Sequence, residues 1–420
     1  MPALSSSPIV AALIESDTVL DEVVADVGVE RAALSLLDAL AEVPDPRCAR
    51  GVRHGVLAVL LVSACAVLAG ARSFVAIAEY AHDTGHAVLS LLGIGATAPH
   101  ESTIRRLLQQ LDPSAVEAAL SSWAAAQLAA RTAVAGTPDR ERRRVWALDG
   151  KTVRGARDGD RPAPHLLAAC THATPGLAPV VLGQRAIPGK TNDIPMVPAL
   201  IEDLRAAGHD PATMVFTADA LHTQHRTAEL FHDTGAGYVL TVKGNQPGLR
   251  STIRDRVTTE RPPRSSARAR ARGHGRTEQR LIEVAPATGI TFPGATQVFR
   301  ITRYTGGLDG QRHRKEVVHG ITNLTATQAD PDRLAALIRG HWAIENSVHW
   351  VRDMTYREDA HRARTGNAPT VLACIRNLVT TALRLTGAVN IAAARRAATL
   401  NPSAILRLLH RPPKPDKGPM

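Results

Sequence analysis

The sequence predicts an α/β core carrying a β-rich insertion and preceded by an all-helical N-terminal domain. Three observations carry this expectation. From Ile9 to about Ala130 the chain is rich in alanine and repeats apolar residues at helical spacing, with Pro99 interrupting it before Ser102-Thr-Ile-Arg-Arg-Leu-Leu108. From Val145 onward, short apolar runs alternate with helical stretches, the pattern of a sheet covered by helices. Between residues 258 and 324 lie further strand-like runs, in a gap too long to be one loop.

Taken in order, the helical region ends at the polar joint Gly136-Thr-Pro-Asp-Arg-Glu-Arg-Arg-Arg144. Strands are then expected at 145–148, 166–171, 179–186, 214–218 and 238–242, with helices near 194–207 and 224–234. The run Arg261-Pro-Pro-Arg-Ser-Ser-Ala-Arg-Ala-Arg-Ala-Arg-Gly-His-Gly-Arg276 is too rich in Arg, Pro, Gly and Ser to bury anything, so a mobile segment is expected there, either an arm that orders on a polyanionic partner or a solvated linker. Strands at 277–284, 296–304 and 315–321 follow it. The expected domains are therefore a helical unit at 1–135, a core formed by 145–257 and 325–390, a basic β-rich insertion at 258–324 and a C-terminal tail at 391–420. Arg105 and Arg106, on a short helix beside a buried one, fit either a helix-turn-helix reader or solvated arginines on a bundle.

Composition narrows the classes. A chain of 420 residues with 44% hydrophobic residues has enough material for two or three domains with real cores. A net charge of +11 makes a polyanion the natural partner, because each Lys or Arg set on a phosphate releases a condensed counterion. Only 3% of the residues are aromatic, which argues against a base-stacking platform for single strands and for contact with a duplex backbone. Cys48, Cys65, Cys170 and Cys374 show neither disulfide nor zinc spacing and fit a reducing cytoplasm. The apolar run at 56–69 is too short for a membrane span and reads as a buried helix, and Met1 to Val10 lacks the basic start of a secretory signal.

The segment Arg339-Gly-His-Trp-Ala-Ile-Glu-Asn-Ser-Val-His-Trp-Val-Arg-Asp353 carries the chemistry. At helical pitch it aligns His341, Trp342, Glu345, His349 and Arg352 along roughly one face, a chemical face where an apolar stripe would mark ordinary core. Asp149 and Asp219 each end an apolar run, so each is an acid at the tip of an expected buried strand. Either one alone reads equally as a turn or a helix cap. Two strand-end carboxylates with a helix-borne glutamate are what a two-metal phosphoryl-transfer site requires, since Mg²⁺ and Mn²⁺ prefer oxygen ligands. Without metal, such a cluster is expected to be poorly settled by like-charge repulsion.

Several runs together carry a family resemblance. They are Val43-Pro-Asp-Pro-Arg47, Ala147-Leu-Asp-Gly-Lys-Thr-Val-Arg-Gly155, Thr217-Ala-Asp-Ala220, Tyr238-Val-Leu-Thr-Val-Lys-Gly-Asn-Gln246, His341-Trp-Ala-Ile-Glu-Asn-Ser-Val-His-Trp350 and Arg357-Glu-Asp-Ala-His-Arg-Ala-Arg-Thr-Gly-Asn-Ala-Pro369. On these, the chain from about Leu36 to Leu383 resembles the DDE-class bacterial insertion-sequence transposases of the ISAs-type, H-repeat-associated group. The resemblance implies a ribonuclease H-like catalytic core, with Asp149, Asp219 and Glu345 as an acidic triad holding Mg²⁺ or Mn²⁺, two ions in all. It implies cleavage at element ends and strand transfer into target DNA, by a homodimer on double-stranded DNA in the bacterial cytoplasm at the nucleoid.

The broader transposase group carries a Tyr, an Arg and a Lys around the catalytic Glu, where this chain has Ile338, His341 and Arg352. Asp353, Glu358 and Asp359 also lie close by, and Asp353 stands as the alternative third acid; the Trp-Ala-Ile-Glu setting favours Glu345. The expected DNA contacts are Lys151, Arg154, Lys243, Asn245, Gln246, Arg268, Arg270, Arg272, His341, His349 and Arg352. For Asn245 and Gln246 a turn-capping role is equally open, and for Arg352 so is a surface salt bridge to Glu358 or Asp359. Two other functions share these features: a catalytically idle DNA-binding descendant, and a metal-dependent nuclease without strand transfer.

Overall fold

The computed structural model describes residues 36–50, 52–84, 97–134, 143–189, 191–259, 265–273, 275–308 and 312–400. The helical pattern expected before Leu36, the joint at 136–142 and the tail beyond residue 400 lie outside the described residues. Five helices come first: α1 (Leu36–Ala41), α2 (Val56–Ala69), α3 (Phe74–Asp83), α4 (Glu101–Gln110) and α5 (Pro113–Val134). Helix α2 is apolar on every side and buried along nearly its whole length, as the apolar run predicted. It stops at Gly70, whose φ of 117° is the left-handed conformation that a glycine cap adopts without a Cβ clash. Among the described residues no single helix is long and apolar enough to cross a membrane; α2 and α3 reach that length only together, across a 97° bend. Helix α4 buries Ile104, Leu107 and Leu108 and turns Arg105 and Arg106 away, with Arg105 Nε 2.9 Å from Glu101 Oε1.

The strands build one mixed sheet of nine, ordered β3-β2-β1-β4-β5-β9-β8-β7-β6. Their ranges are β1 Arg144–Thr152, β2 His165–Thr171, β3 Val181–Ile187, β4 Met214–Ala218, β5 Gly237–Val242, β6 Ser265–Gly273, β7 Arg276–Pro286, β8 Gln297–Gly307 and β9 Arg312–Thr322. β1 runs parallel to β4 and β4 to β5, while every other neighbouring pair is antiparallel. Parallel neighbours need crossovers, supplied by α6 (Val197–Ala206) and α7 (His225–Asp233). Helix α8 (Pro247–Thr259) then leads into the insertion.

The insertion differs from expectation in two ways. It is continuous with the core sheet, because β9 pairs with β5 from Val239↔Thr322 to Val242↔His319. The arginine-rich arm is also ordered as a strand: β6 pairs with β7 along its whole length, from Ser265↔Val284 to Gly273↔Arg276. Backbone pairing, rather than side-chain burial, orders it. Arg and Ala alternate there, so one face stays charged and solvated while the other packs Ala267 near Ile282 and Leu334.

Helix α9 (Pro331–Ile344) crosses the sheet over β1, β4 and β7. Asp330 caps it, accepting from the Arg333 N–H at 2.7 Å. A Cβ at Gly340 would overlap the His172 ring, so glycine lets the helix approach the sheet closely. The helix continues as two π-helical segments, Glu345–His349 and Val351–Thr355. Wider turns advance each residue less than the α-helical 100°, so the single face expected for this segment splits. Trp342, Glu345, Trp350 and Met354 are exposed, whereas His349 and Arg352 point inward.

Helix α10 (Ala368–Leu385) is buried throughout and packs against α2, α4, α5 and β3, so the leading helices and the sheet share one hydrophobic core. The start of the expected C-terminal tail is a further helix, α11 (Ile391–Leu400), held to α2 and the second π segment by Arg395, whose Nη1 donates to Thr355 O at 2.9 Å. Next to α10 lies a buried ion cluster. The Arg352 guanidinium is 2.8 Å from Glu358 Oε2 and donates from Nη1 to Gln184 Oε1 at 2.8 Å, and Arg376 Nη1 reaches Glu358 Oε1 at 3.0 Å. Glu358 is fully buried; burial raises its carboxyl, but Arg352 and Arg376 outweigh that and hold it below the ordinary range. Arg352→Ala leaves that buried carboxylate with Arg376 alone, so stability measured by chemical denaturation is expected to fall by about 3 kcal/mol, the lower end for a broken buried pair.

Candidate active site

The register of β1 on β4 decides where the acids stand. Leu148 lies opposite Ala218, so the next residue on each strand, Asp149 and Asp219, sits at the same edge of the sheet on neighbouring strands about 4.8 Å apart. Asp219 Oδ1 accepts from the Leu221 N–H at 2.9 Å, capping the 3-10 turn Ala220–His222. Asp149 Oδ1 accepts from the Gly150 N–H at 2.9 Å, and its Oδ2 lies 3.3 Å from His349 Nδ1. Burial alone raises the Asp149 carboxyl; the hydrogen bond from His349 and the nearby His349 and His341 rings outweigh it, and the net shift is downward.

Behind these acids lies a layer of histidines. His341 Nδ1 is 3.2 Å from Thr217 Oγ1, and the same hydroxyl meets His172 Nε2 at 2.9 Å. Burial pushes His172 down to about 3 and lowers His341, so both are neutral near pH 7. His222 is buried in the turn after Asp219; burial lowers its pKa against the opposing charges of Asp219, Asp193 and Asp149. Beside Gly150, buried Asp193 holds His165, with Oδ1 to Nε2 2.5 Å, and His165 Nδ1 is 2.7 Å from Thr152 Oγ1. Sequence reasoning missed Asp193, His165, His222, Thr217 and His172. Asn192-Asp193 before Ile-Pro has the form of an ordinary turn, and no spacing joins it to β2 or to the Asp219 turn.

Glu345 is exposed and makes no ion pair or side-chain hydrogen bond among the described residues. It lies four residues from each of His341 and His349, the two rings that face Asp149. Asp353, its alternative, is bound to Lys151 Nζ at 2.6 Å. Among the described residues no three His, Cys, Asp or Glu side chains converge into a finished metal-ligand set. The donors at the sheet edge, two neighbouring carboxylates with a third exposed on the helix above, have the all-oxygen chemistry that Mg²⁺ and Mn²⁺ take.

The expected DNA contacts divide sharply. Arg154, Lys243, Arg268, Arg270 and Arg272 are exposed. Arg352 is not at the surface, because Glu358 and Gln184 occupy its guanidinium in the core; the salt-bridge partner was among those expected, but the pair is buried. Lys151 is buried against Asp353, His349 against Asp149, and His341 turns toward Thr217, so none of the three reaches outward to a phosphate. Asn245 Nδ2 donates to Ala220 O at 2.6 Å, and Gln246 Nε2 to Thr223 O at 3.1 Å. Both therefore brace the turn that carries Asp219, the capping role left open for them.

The transposase DDE domain family matches residues 140–382 of this chain, and the DDE_Tnp_1-associated family matches residues 37–124. The chain belongs to the DDE transposase family. It is 29% identical over 359 residues to "Putative transposase YncI" of Escherichia coli O157:H7, covering 83% of this chain and 87% of that protein. It is 26% identical over 358 residues to "H repeat-associated putative transposase YhhI" of Escherichia coli (strain K12), covering 82% and 88% respectively. Among solved structures, the piggyBac transposase synaptic complex with hairpin DNA superposes with a TM-score of 0.32 and 12% identity over 64% of this chain and 54% of that one, too little to argue from.

In this transposase-family chain the hydrogen bond that His165 donates to Asp193 raises its pKa above the ordinary 6.5. A raised folded pKa stabilises below the unfolded value, and that stabilisation is lost as pH rises through the folded value. Urea unfolding between pH 5 and 9 is therefore expected to show a loss of stability with rising pH above about 6.5. His165→Gln removes that part of the slope.

Proposed function

We propose that this chain is an active transposase that cuts DNA at the ends of an insertion sequence and joins the freed 3′ ends to target DNA. The observation that carries the reading is the placement of Asp149 and Asp219 side by side where the parallel pairing of β1 with β4 stops, Asp149 within β1 and Asp219 just past β4, under the helix that leads into Glu345. The strand order β3-β2-β1-β4-β5, with only β2 running against the others, supports a ribonuclease H-like core. Asp149, Asp219 and Glu345 would hold two divalent cations, which supply activation of the attacking oxygen and stabilisation of charge on the leaving one. This chain's own contribution is orientation. His349 fixes one oxygen of Asp149, the Leu221 N–H fixes one of Asp219, and Asn245 and Gln246 hold the intervening turn. Arg154 and Lys243, just past the ends of β1 and β5, present charge along the same edge for the DNA backbone. Two element ends would be brought together by two copies of the chain.

The β6–β9 ribbon supplies a second place for duplex. Arg270, Gln279, Tyr304 and Lys315 form one row across its four strands, flanked on β6 by Arg268 and Arg272. Those arginines make no ion pair among the described residues, whereas on the opposite face Arg280 and Arg303 are neutralised by Glu278. The face that bears Arg268, Arg270 and Arg272 is therefore the one suited to phosphates.

Asp149→Asn, Asp219→Asn and Glu345→Gln are each expected to cut the cleavage rate in Mg²⁺ by more than the roughly 100-fold that even outer partners of a metal can cost, while leaving duplex affinity intact. Asp353→Asn should keep cleaving, because Lys151 already occupies that carboxylate. An active Glu345→Gln beside a dead Asp353→Asn reverses the assignment. Joined products on a supercoiled target separate strand transfer from simple nuclease action. For the ribbon, replacing Arg268, Arg270 and Arg272 with Ala should weaken binding to all duplexes alike and flatten the log–log salt dependence by about 0.9 for each phosphate no longer neutralised. An unchanged slope makes the ribbon a spacer.

A further inference from the structure

The three family acids leave a fourth carboxylate at the same sheet edge without a role. Asp193 sits in the loop between β3 and α6 and is 5% exposed. Its contacts reach every element that carries the acid pair. Oδ1 is bound by His165 of β2, whose other ring nitrogen meets Thr152 of β1. Oδ2 faces His222 Nε2 at 3.9 Å, in the turn that follows Asp219. Neither ring nitrogen of His222 has a hydrogen-bond partner among the described residues, and this buried ring faces the carboxylates of Asp219, Asp193 and Asp149 together.

Gly150 completes the arrangement. A Cβ there would overlap Asp193 Oδ2 and would lie 2.8 Å from His165 Nε2, so the loop carboxylate rests directly on the backbone of the residue after Asp149. The Gly150 N–H is also the group that orients Asp149 Oδ1. A shift of Asp193 is thereby passed through Gly150 to one acid and through His222 to the other.

We infer that Asp193 is a positioning residue for the catalytic acids: its buried carboxylate, spanning His165, Gly150 and His222, fixes the end of β1 against the turn after β4. The inference rests on the transposase reading for its consequence in catalysis, but not for its consequence in metal binding. Asparagine keeps the shape and one acceptor for His165 while removing the charge, so it separates electrostatic positioning from mere filling of space.

The test uses the full chain as wild type, Asp193→Asn and Asp193→Ala. Thermal unfolding, duplex affinity, Mn²⁺ binding by calorimetry without DNA, and single-turnover cleavage of a pre-bound duplex are compared. Expected for Asp193→Asn is a folded protein with wild-type duplex affinity, its unfolding temperature lowered only by as much as in His165→Gln, with Mn²⁺ affinity and cleavage rate each lowered about 10–100-fold, the range for groups that orient metal ligands. Wild-type Mn²⁺ affinity and rate in Asp193→Asn overturn the inference, even where Asp193→Ala is unstable, because the charge is then dispensable. A wild-type protein that binds Mn²⁺ but cuts no duplex overturns the transposase reading alone, and the Mn²⁺ comparison still decides the role of Asp193.

Discussion

The parallel pairing of β1 with β4 is the constraint on which the site depends. It fixes Leu148 beside Ala218 and so brings together two aspartates that are 70 residues apart in the chain. A slip of one residue on either strand would turn one carboxylate to the opposite face of the sheet, because side chains alternate along a strand. The register is held by what each strand buries. Trp146 and Phe216 lie opposite one another and meet edge to face at 5.8 Å, and Phe231 stacks on Phe216 at 4.8 Å. Greasy residues in the middle of the strands thus determine where polar ones stand at the ends.

A second constraint acts on the helix above. Had the segment after Ile344 stayed α-helical, Glu345, His349 and Arg352 would share one face, and that face could not at once meet the acids and reach solvent. The π-helical turns separate them. Arg352 drops into the core to close the charge cluster with Glu358 and Arg376, His349 comes down on Asp149, and Glu345 stays exposed. The cluster joins α10 to the π segments and, through Gln184, to β3, so the same interactions that hold the leading helices onto the sheet also hold the segment that carries Glu345. That coupling explains why a residue expected to meet phosphate is instead a structural one.

The sheet's long extension gives the molecule two separate basic surfaces. The edge that carries Asp149 and Asp219 also carries Arg154 and Lys243, while the ribbon carries Arg268, Arg270 and Arg272 on a face whose opposite side is electrically satisfied by Glu278 and Glu316. Segregating charge by face follows from the period of two along a strand, and it costs nothing in burial because the charged face is solvated. An overall charge of +11 says only that a polyanion suits the chain; the pairing of strands says which arginines are left for it.

By itself, the sequence determined the α/β alternation, the strands of the core and of the insertion, the buried helix α2 and the position of Asp219 at a strand tip, because each is written in local periodicity and in the residue that ends an apolar run, whereas β1 runs on past Asp149 to Thr152 because β2 keeps pairing with it. The acids and the family motifs were legible for the same reason: they are contiguous. The tertiary structure alone decided that the insertion is a continuation of the core sheet, that the arginine run is a strand and that α11 docks, since strand pairing and helix packing join residues far apart in the chain. It also decided the fate of charged side chains. Lys151, His349 and Arg352 carry the same residue types as surface DNA contacts; nothing in the sequence around the first two reports that Asp353 and Asp149 lie within ion-pair distance, and for Arg352 the nearby Glu358 offered a partner but not the burial of the pair. Asp193 was invisible for the matching reason: its partners come from β1, β2 and the turn after β4, and only folding brings those three together.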